Sequence, residues 1–236
     1  MARGCTAREA AERLGLPLRT VAKWRATMAT DHTPPARCVI CSEGPTAELG
    51  ESYAYLLGQY LGDGHLVTSA RVPVLRIYAC TDYPRVSAKV SAAIASVRGT
   101  VPGLVTWRRS ERIVTIQSYW MHWPCLLPQH GPGKKHERPI VLADWQRAIV
   151  EEHPWSLIRG LIHSDGCRVI NRVVVRGKTY EYPRYFFSNE SDDIQAIFTT
   201  ALDRVGVPWR NNRGNSVSIA RRAGVARMDQ HVGPKR

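Results

Sequence analysis

Residues 56–64 read LLGQYLGDG, and residues 158–166 read IRGLIHSDG. The two stretches align without a gap at one offset, 158 − 56 = 102, which the two acids share, 165 − 63 = 102. Gly58 matches Gly160, Gly62 matches Ser164, Asp63 matches Asp165 and Gly64 matches Gly166. An aromatic residue leads each copy in, Tyr53 and Trp155. Within each copy the small residues stand four apart, so a helix places them on one face. A face without bulk lets another backbone come close. The glycine after each aspartate predicts the left-handed residue that ends a helix. Each aspartate then sits at a helix C-terminus, where the macrodipole disfavours negative charge. If the two small faces pack together, the two carboxylates also meet, and like charges at close range resist joint ionisation. A divalent metal held by both acids offsets both penalties. The competing reading is two ordinary buried helices with glycine caps. Two matches, each ending Asp-Gly at a domain-sized spacing, outweigh it.

The paired segments resemble the LAGLIDADG motif of homing endonucleases, in its single-chain, two-motif form. The resemblance runs from about Tyr53 to the C-terminus. It implies an α+β fold of two αββαββα repeats about a pseudo-twofold axis, with two antiparallel sheets forming a saddle that lies in the DNA major groove. It also implies site-specific double-strand cleavage dependent on Mg²⁺, with Asp63 and Asp165 as metal ligands and a monomer as the working unit. Family members carry a basic residue before the last helix of each repeat, which would stabilise the phosphate transition state or activate water. Lys134 or Lys135 fills that region in the first repeat and Lys235 in the second. There are departures. Arg159 and His163 stand where the family motif is apolar or small. The resemblance places Tyr78, with Phe187 opposite, at a hairpin position that family enzymes keep polar. The second repeat also lacks the long closing helix of the first.

Composition fits a nucleic-acid partner. The chain has 236 residues, 44% of them hydrophobic, which suffices for a large core and a small extra domain. Its formal net charge is +13, which points to a polyanion. An acidic membrane is the rival partner, but no apolar run approaches spanning length. The N-terminus MARGCTAREA lacks the apolar core of a secretion signal, and the six scattered cysteines then suit reduced thiols in a cytoplasm.

Residues 1–28 predict a helix-turn-helix. Thr6 and Glu9 form a capping box, Gly15 supplies the turn, and Leu18, Val21 and Trp24 recur at helical spacing. Arg19, Thr20, Lys23 and Arg25 fall on the other face, as a helix entering the major groove requires. Residues 29–51 read as a linker. It carries Cys38-x-x-Cys41, half of a Zn²⁺ site with no second half in view, so incidental thiols are the favoured reading.

The two repeats, 52–153 and 154–236, then follow one order. In the first, strands at 65–69, 74–80, 104–109 and 113–119 surround a helix at 83–97, with a closing helix at 141–152. In the second, strands at 167–175, 182–188, 209–211 and 216–220 surround a helix at 191–205. The end, MDQHVGPKR, echoes PQHGPGKK of the first repeat, which supports duplication of a whole unit. Each sheet packs one face on helices and leaves the other open. Candidate open-face cations are Arg76, Arg108 and Arg109 in the first repeat and Arg168, Arg172, Arg176, Lys178 and Arg184 in the second. The competing function is a DNA-binding transcriptional regulator that reuses the fold without cutting, for which the helix-turn-helix speaks. Retention of both acids speaks for the enzyme.

Overall fold

The computed structural model describes residues 6–15, 17–22, 50–99, 105–212, 214–233 and 235. Lys23, Arg25, Cys38 and Cys41 lie outside the described residues, and with them the zinc question. Helix α1 is Ala7–Leu14. The Thr6 hydroxyl accepts from Glu9 N, the Glu9 carboxylate accepts from Thr6 N, and Gly15 closes the helix at φ 62°. Residues 18–22 are helical again. Ala11 and Val21 are buried, whereas Leu18 is 48% exposed and does not join the inward face its spacing suggested.

The remaining chain contains two units of like order. The first runs α2 (Gly50–Leu61), β1 (Gly64–Val67), β2 (Val74–Cys80), α3 (Pro84–Arg98), β3 (Thr106–Ser110) and β4 (Ile113–Tyr119). It finishes with the single turn α4 (Trp123–Leu126), a 3-10 turn at Lys135–Glu137 and α5 (Asp144–Glu152). The second runs α6 (Pro154–Asp165), β5 (Gly166–Val175), β6 (Lys178–Ser188), α7 (Asp192–Arg204), β7 (Arg210–Asn211), β8 (Ser216–Ile219) and α8 (Arg222–His231). Helix α8 is an element that the sequence pattern does not predict; it stands before Lys235, where the first unit has α4, and not where that unit has α5. Val225 and Met228, three apart, bury one side of it.

Each unit forms a four-stranded antiparallel sheet, in the orders β1-β2-β4-β3 and β5-β6-β8-β7. Period-two alternation decides which side of each sheet is dry. Leu75, Ile77, Val114 and Ile116 of the first sheet and Tyr185, Phe187, Val217 and Ile219 of the second are buried against the helices. The intervening residues make the open faces. Register fixes the internal equivalence: Gly64 faces Ile77, and Gly166 faces Phe187. Phe187 therefore matches the buried Ile77, and the partner of exposed Tyr78 is Ser188, not Phe187.

Helices α2 and α6 meet backbone to backbone. A Cβ on Gly58 would lie 2.6 Å from Leu157 O and 2.9 Å from Gly160 Cα. One on Gly160 would lie 2.3 Å from Tyr55 O. The glycines after the aspartates serve another purpose than expected. Gly166 is extended, at φ −103° and ψ 171°, and Gly64 is likewise absent from the left-handed glycines. Each starts a strand while folding back on its own helix. A Cβ would fall 2.4 Å from Tyr60 Cα at Gly64 and 2.7 Å from Ile162 Cα at Gly166. The turn from helix to strand is thus sharp enough to forbid a side chain.

The atoms around Gly58 are main chain, which no rotamer change can clear. Gly58→Ala is expected to destabilise the protein by about 1–3 kcal/mol through overpacking, read as a lower midpoint in urea denaturation. An unchanged midpoint would mean the two helices are not held this close in solution.

Candidate active site and nucleic-acid interface

Because α2 and α6 pack through their small faces, their C-terminal ends arrive together. A Cβ on Gly62 would stand 2.1 Å from Ser164 Oγ and 2.9 Å from Asp165 Oδ2, so the second carboxylate lies against the residue before Asp63. Asp63 follows the last turn of α2, and its carbonyl accepts from Tyr78 N at 3.2 Å, which ties it to β2. Asp165 is the last residue of α6. Burial, and next the nearby Asp165 charge, push Asp63 up to about 6. Burial also raises Asp165, opposed by a hydrogen bond from Asn189 Nδ2 to its Oδ2 at 2.6 Å.

Two lysines reach the helix ends beside the pair. Lys135 Nζ donates to the carbonyls of Tyr60, Leu61 and Gly62 at 2.6, 3.0 and 2.7 Å, the orphan acceptors at the end of α2. Burial lowers its pKa to about 8, against the pull of Asp165 and Asp63. Lys235 Nζ donates to Ser164 O at 2.6 Å, the matching carbonyl of α6, and burial lowers it too against both acids. Gly133 and Gly233 stand two residues before these lysines, both left-handed at φ 75° and 70°. That equivalence selects Lys135. Lys134 points to solvent beside Glu137, 3.8 Å away, and does not reach the acids.

A cleft of about 570 Å³ opens beside Asp165. Asp165, Lys135, His65, Arg138, Ser188 and Asn189 help to line it, so it opens on the same side as the bare sheet faces. Arg138 donates to Gln129 O at 2.9 Å and Gly133 O at 3.0 Å, holding the loop that presents Lys135. Asn189 is held in turn: its Oδ1 accepts from Ser191 N, and its carbonyl accepts from Gln195. Neither residue was singled out from sequence. The position of Asn189, two before the helix-capping Ser191, was the available signal.

The departures in the second motif also find places. Arg159 leaves the helix seam and donates to His231 O at 2.8 Å. His163 is buried, its Nδ1 3.1 Å from Tyr55 Oη, and burial pushes it down to about 4.

The candidate DNA-contacting cations divide by face. Arg76 and Arg108 share the open face of the first sheet, as their pairing with Gln117 and Thr115 requires. Arg184 is on the open face of the second sheet, and Lys178 and Arg176 are at the tip of its hairpin. Three others are on the helix side. Arg109 pairs in register with buried Val114. Arg168 is opposite Tyr185 and binds Asp229 of α8 through two contacts of 2.7 and 2.9 Å. Arg172 shares that side and pairs with Glu181 at 2.8 Å. Alternation, not charge, decides this: one residue's step reverses the face. Arg19 and Thr20 are on the helical segment 18–22, Arg19 exposed and Thr20 half-buried.

No family model matches the chain, and no curated protein matches it. Solved structures do. The chain is similar to mesophilic variants of the homing endonuclease I-DmoI, with a TM-score of 0.51 and 14% identity over 78% of this chain and 92% of that one. It is similar to a glycine-to-serine variant of I-DmoI in complex with its target DNA in the presence of magnesium, with a TM-score of 0.50 and 12% identity over 79% and 98%. It also matches full-length DUF199/WhiA from Thermatoga maritima, with a TM-score of 0.49 and 12% identity, covering 83% of this chain but 60% of that one. The fold is that of the LAGLIDADG endonucleases. At such identities the likeness is one of fold. No helix among the described residues is long and apolar enough to cross a membrane.

Asp63 ionises less readily folded than unfolded. Its contribution therefore favours the native state below pH 4 and is lost as pH rises through about 6. In metal-free buffer, Asp63→Asn is expected to be about 1–2 kcal/mol more stable than wild type at pH 7, with the gap closing towards pH 4. Urea denaturation at stepped pH checks this; parallel curves would show no electrostatic penalty at Asp63.

Proposed function

We propose that this chain is a site-specific, metal-dependent endonuclease that cuts both strands of duplex DNA. The observation that carries the reading is the convergence of Asp63 and Asp165, one from each unit, with Lys135 and Lys235 beside them and a cleft lined by Asp165 and Lys135. A regulator that only binds gains nothing from two buried carboxylates that raise each other's cost of ionisation. One acid per half suits one scissile phosphate per strand.

The donor set fits a hard divalent cation. Among the described residues no group of three or more His, Cys, Asp and Glu is placed to hold a metal ion. Mg²⁺ does not need one: it commonly keeps several waters and binds through one or two carboxylates plus substrate phosphate. Asp63 and Asp165 would hold it, and their mutual repulsion is what its charge would relieve. When bound, the ion supplies a nucleophilic water and neutralises phosphate charge. The protein's residues do the rest. Asn189 fixes the Asp165 carboxylate by its hydrogen bond. Lys135 and Lys235 hold positive charge beside the scissile phosphate while bracing the ends of α2 and α6. The bare sheet faces carry Arg76, Arg108 and Arg184 towards the duplex, and phosphate contacts of this kind make binding steeply salt-dependent. The helical segment with Arg19 and Thr20 adds a second contact to DNA. The working unit is one chain, since its two units already supply a paired site.

Cleavage of a plasmid library with Mg²⁺ tests the proposal. Wild type is expected to cut. Asp63→Asn and Asp165→Asn are expected to bind DNA but to cut at least about a hundredfold more slowly, and Lys135→Met to lose a similar amount. Lys134→Met is expected to cut as wild type does. DNA binding without cutting by every protein, whatever the divalent metal, would instead establish a non-cleaving DNA-binding regulator.

A further inference from the structure

The two sheets are alike in order and unlike in reach. In the first, β1 and β2 are paired from Gly64↔Ile77 out to Val67↔Val74, four rungs, before a loop at 68–73. In the second, β5 and β6 are paired from Gly166↔Phe187 out to Val175↔Lys178, ten rungs, closed by a two-residue turn. Both residues of that turn have positive φ, Arg176 at 50° and Gly177 at 76°, as a tight hairpin with the native strand twist requires. At about 3.3 Å per residue the first arm extends about 13 Å from its aspartate and the second about 33 Å. Against a rise of about 3.4 Å per base pair, that is about four pairs on one side and nearly ten on the other.

Their surfaces differ as well. The open face of the first arm is mainly polar, with His65, Arg76 and Arg108 around Thr115 and one exposed aromatic, Tyr78. The same face of the second arm carries Val169 level with Arg184 and, beyond them, Val173, Val175, Tyr180 and Tyr182, with Asn171 opposite Tyr182 and Lys178 opposite Val175. The three valines and two tyrosines are between 36% and 50% exposed, and the two tyrosine rings stack in parallel, 6.4 Å apart. Ile170 and Val174 on the opposite face are uncovered too, at 50% and 68%, so the exposure belongs to the whole projecting hairpin, and the face that adjoins the acid cleft is the one a duplex would cover. Major-groove edges offer one apolar group, the thymine methyl, and aliphatic side chains discriminate by packing on it. Arginine and glutamine instead read guanine and adenine through paired hydrogen bonds.

We propose that the chain recognises a lopsided DNA target: a short half-site read mainly by hydrogen bonds on the side of the first unit, and a longer one on the side of the second unit whose outer positions are selected as thymine by Val173 and Tyr182. The inference rests on the DNA-recognition reading above and adds to it the length and base class of each half-site. Arg76 gives the short side a guanine. The hairpin tip, Arg176 and Lys178, ends the long side on phosphate.

The test is selection of duplexes from a fully randomised library by the whole chain in EDTA, so that binding is read without cutting, followed by hydroxyl-radical footprinting on the selected sequence. The expected consensus extends about twice as far on one side of its centre as on the other, with T·A pairs enriched over the outer part of the long side. Val173→Ala is expected to reduce the thymine preference at one outer position about fivefold, the size of a modest single-base penalty. Val174→Ala is the matched control: Val174 is the next residue, 68% exposed on the opposite face, and its loss leaves the consensus unchanged. Half-sites of equal length, an outer long side rich in G·C, or identical selections by the two valine variants would overturn the inference and leave DNA recognition standing. Enrichment of no sequence would overturn both.

Discussion

The structure depends on the approach of two helix backbones at Gly58 and Gly160. Ordinary helices keep their axes 8–10 Å apart because side chains intervene. Here the nearest neighbour of each missing Cβ is a main-chain oxygen or Cα of the other helix. That contact fixes more than a distance. It sets the rotation of α2 against α6, hence the direction in which each chain leaves its helix, hence the positions of β1 and β5. Gly64 and Gly166 then turn the chain so sharply that sheet and helix share one small volume. The two bare sheet faces and the two carboxylates are consequences of one seam, and a shift there would move all of them together.

The seam also creates an electrostatic problem, and the fold answers it with lysines. Two helix ends present unpaired carbonyls beside two buried carboxylates, all of the same sign. Lys135 and Lys235 meet both demands, since each hydrogen-bonds helix-end carbonyls while its charge lies near Asp63 and Asp165. The compensation is partial. Asp63 still sits well above the ordinary carboxylate range, and Lys135 well below the ordinary amine range. Both signs are thus left partly destabilised in one place, which is the kind of perturbation that marks candidate functional sites.

What sequence could supply, and where it stopped, follows from how local each signal is. The strands at 74–80 and 113–119, the capping box at Thr6 and the pairing of Gly58 with Gly160 depend on neighbours within a few residues or on the repeat itself. The glycines after the aspartates look the same whether they are needed for a left-handed turn or for close packing, and only the backbone tells the two apart. Charge alone groups Arg109, Arg168 and Arg172 with the open-face cations. Their side of the sheet depends on register, which a count of arginines does not contain. Lys134 and Lys135 are adjacent and chemically identical, and the choice between them rests on the left-handed Gly133 and its counterpart Gly233. Helix α8 was missed because its apolar side is only Val225 and Met228, completed by an ion pair from Arg168 across the chain.

Duplication ordinarily makes two halves alike, so the differences between these halves mark where they have been under separate demands. The seam, the acids, the helix-end lysines and the strand order have stayed paired. The arms have not. Near the acids the departures are small but directed: Asn189 holds Asp165, whereas register puts Ala79 at the matching place beside Asp63, with no donor to offer. Away from the acids they are large, four rungs against ten and a mainly polar face against a mainly apolar one. A reaction on two antiparallel strands requires the first kind of symmetry, because the two phosphates are chemically equivalent. Recognition of a sequence that is not a palindrome requires the second kind of asymmetry. A symmetric dimer has to alter both halves at once, whereas a single chain carrying both units can keep one constant while changing the other. Joining the units in one polypeptide is what lets a paired centre stand between unequal arms.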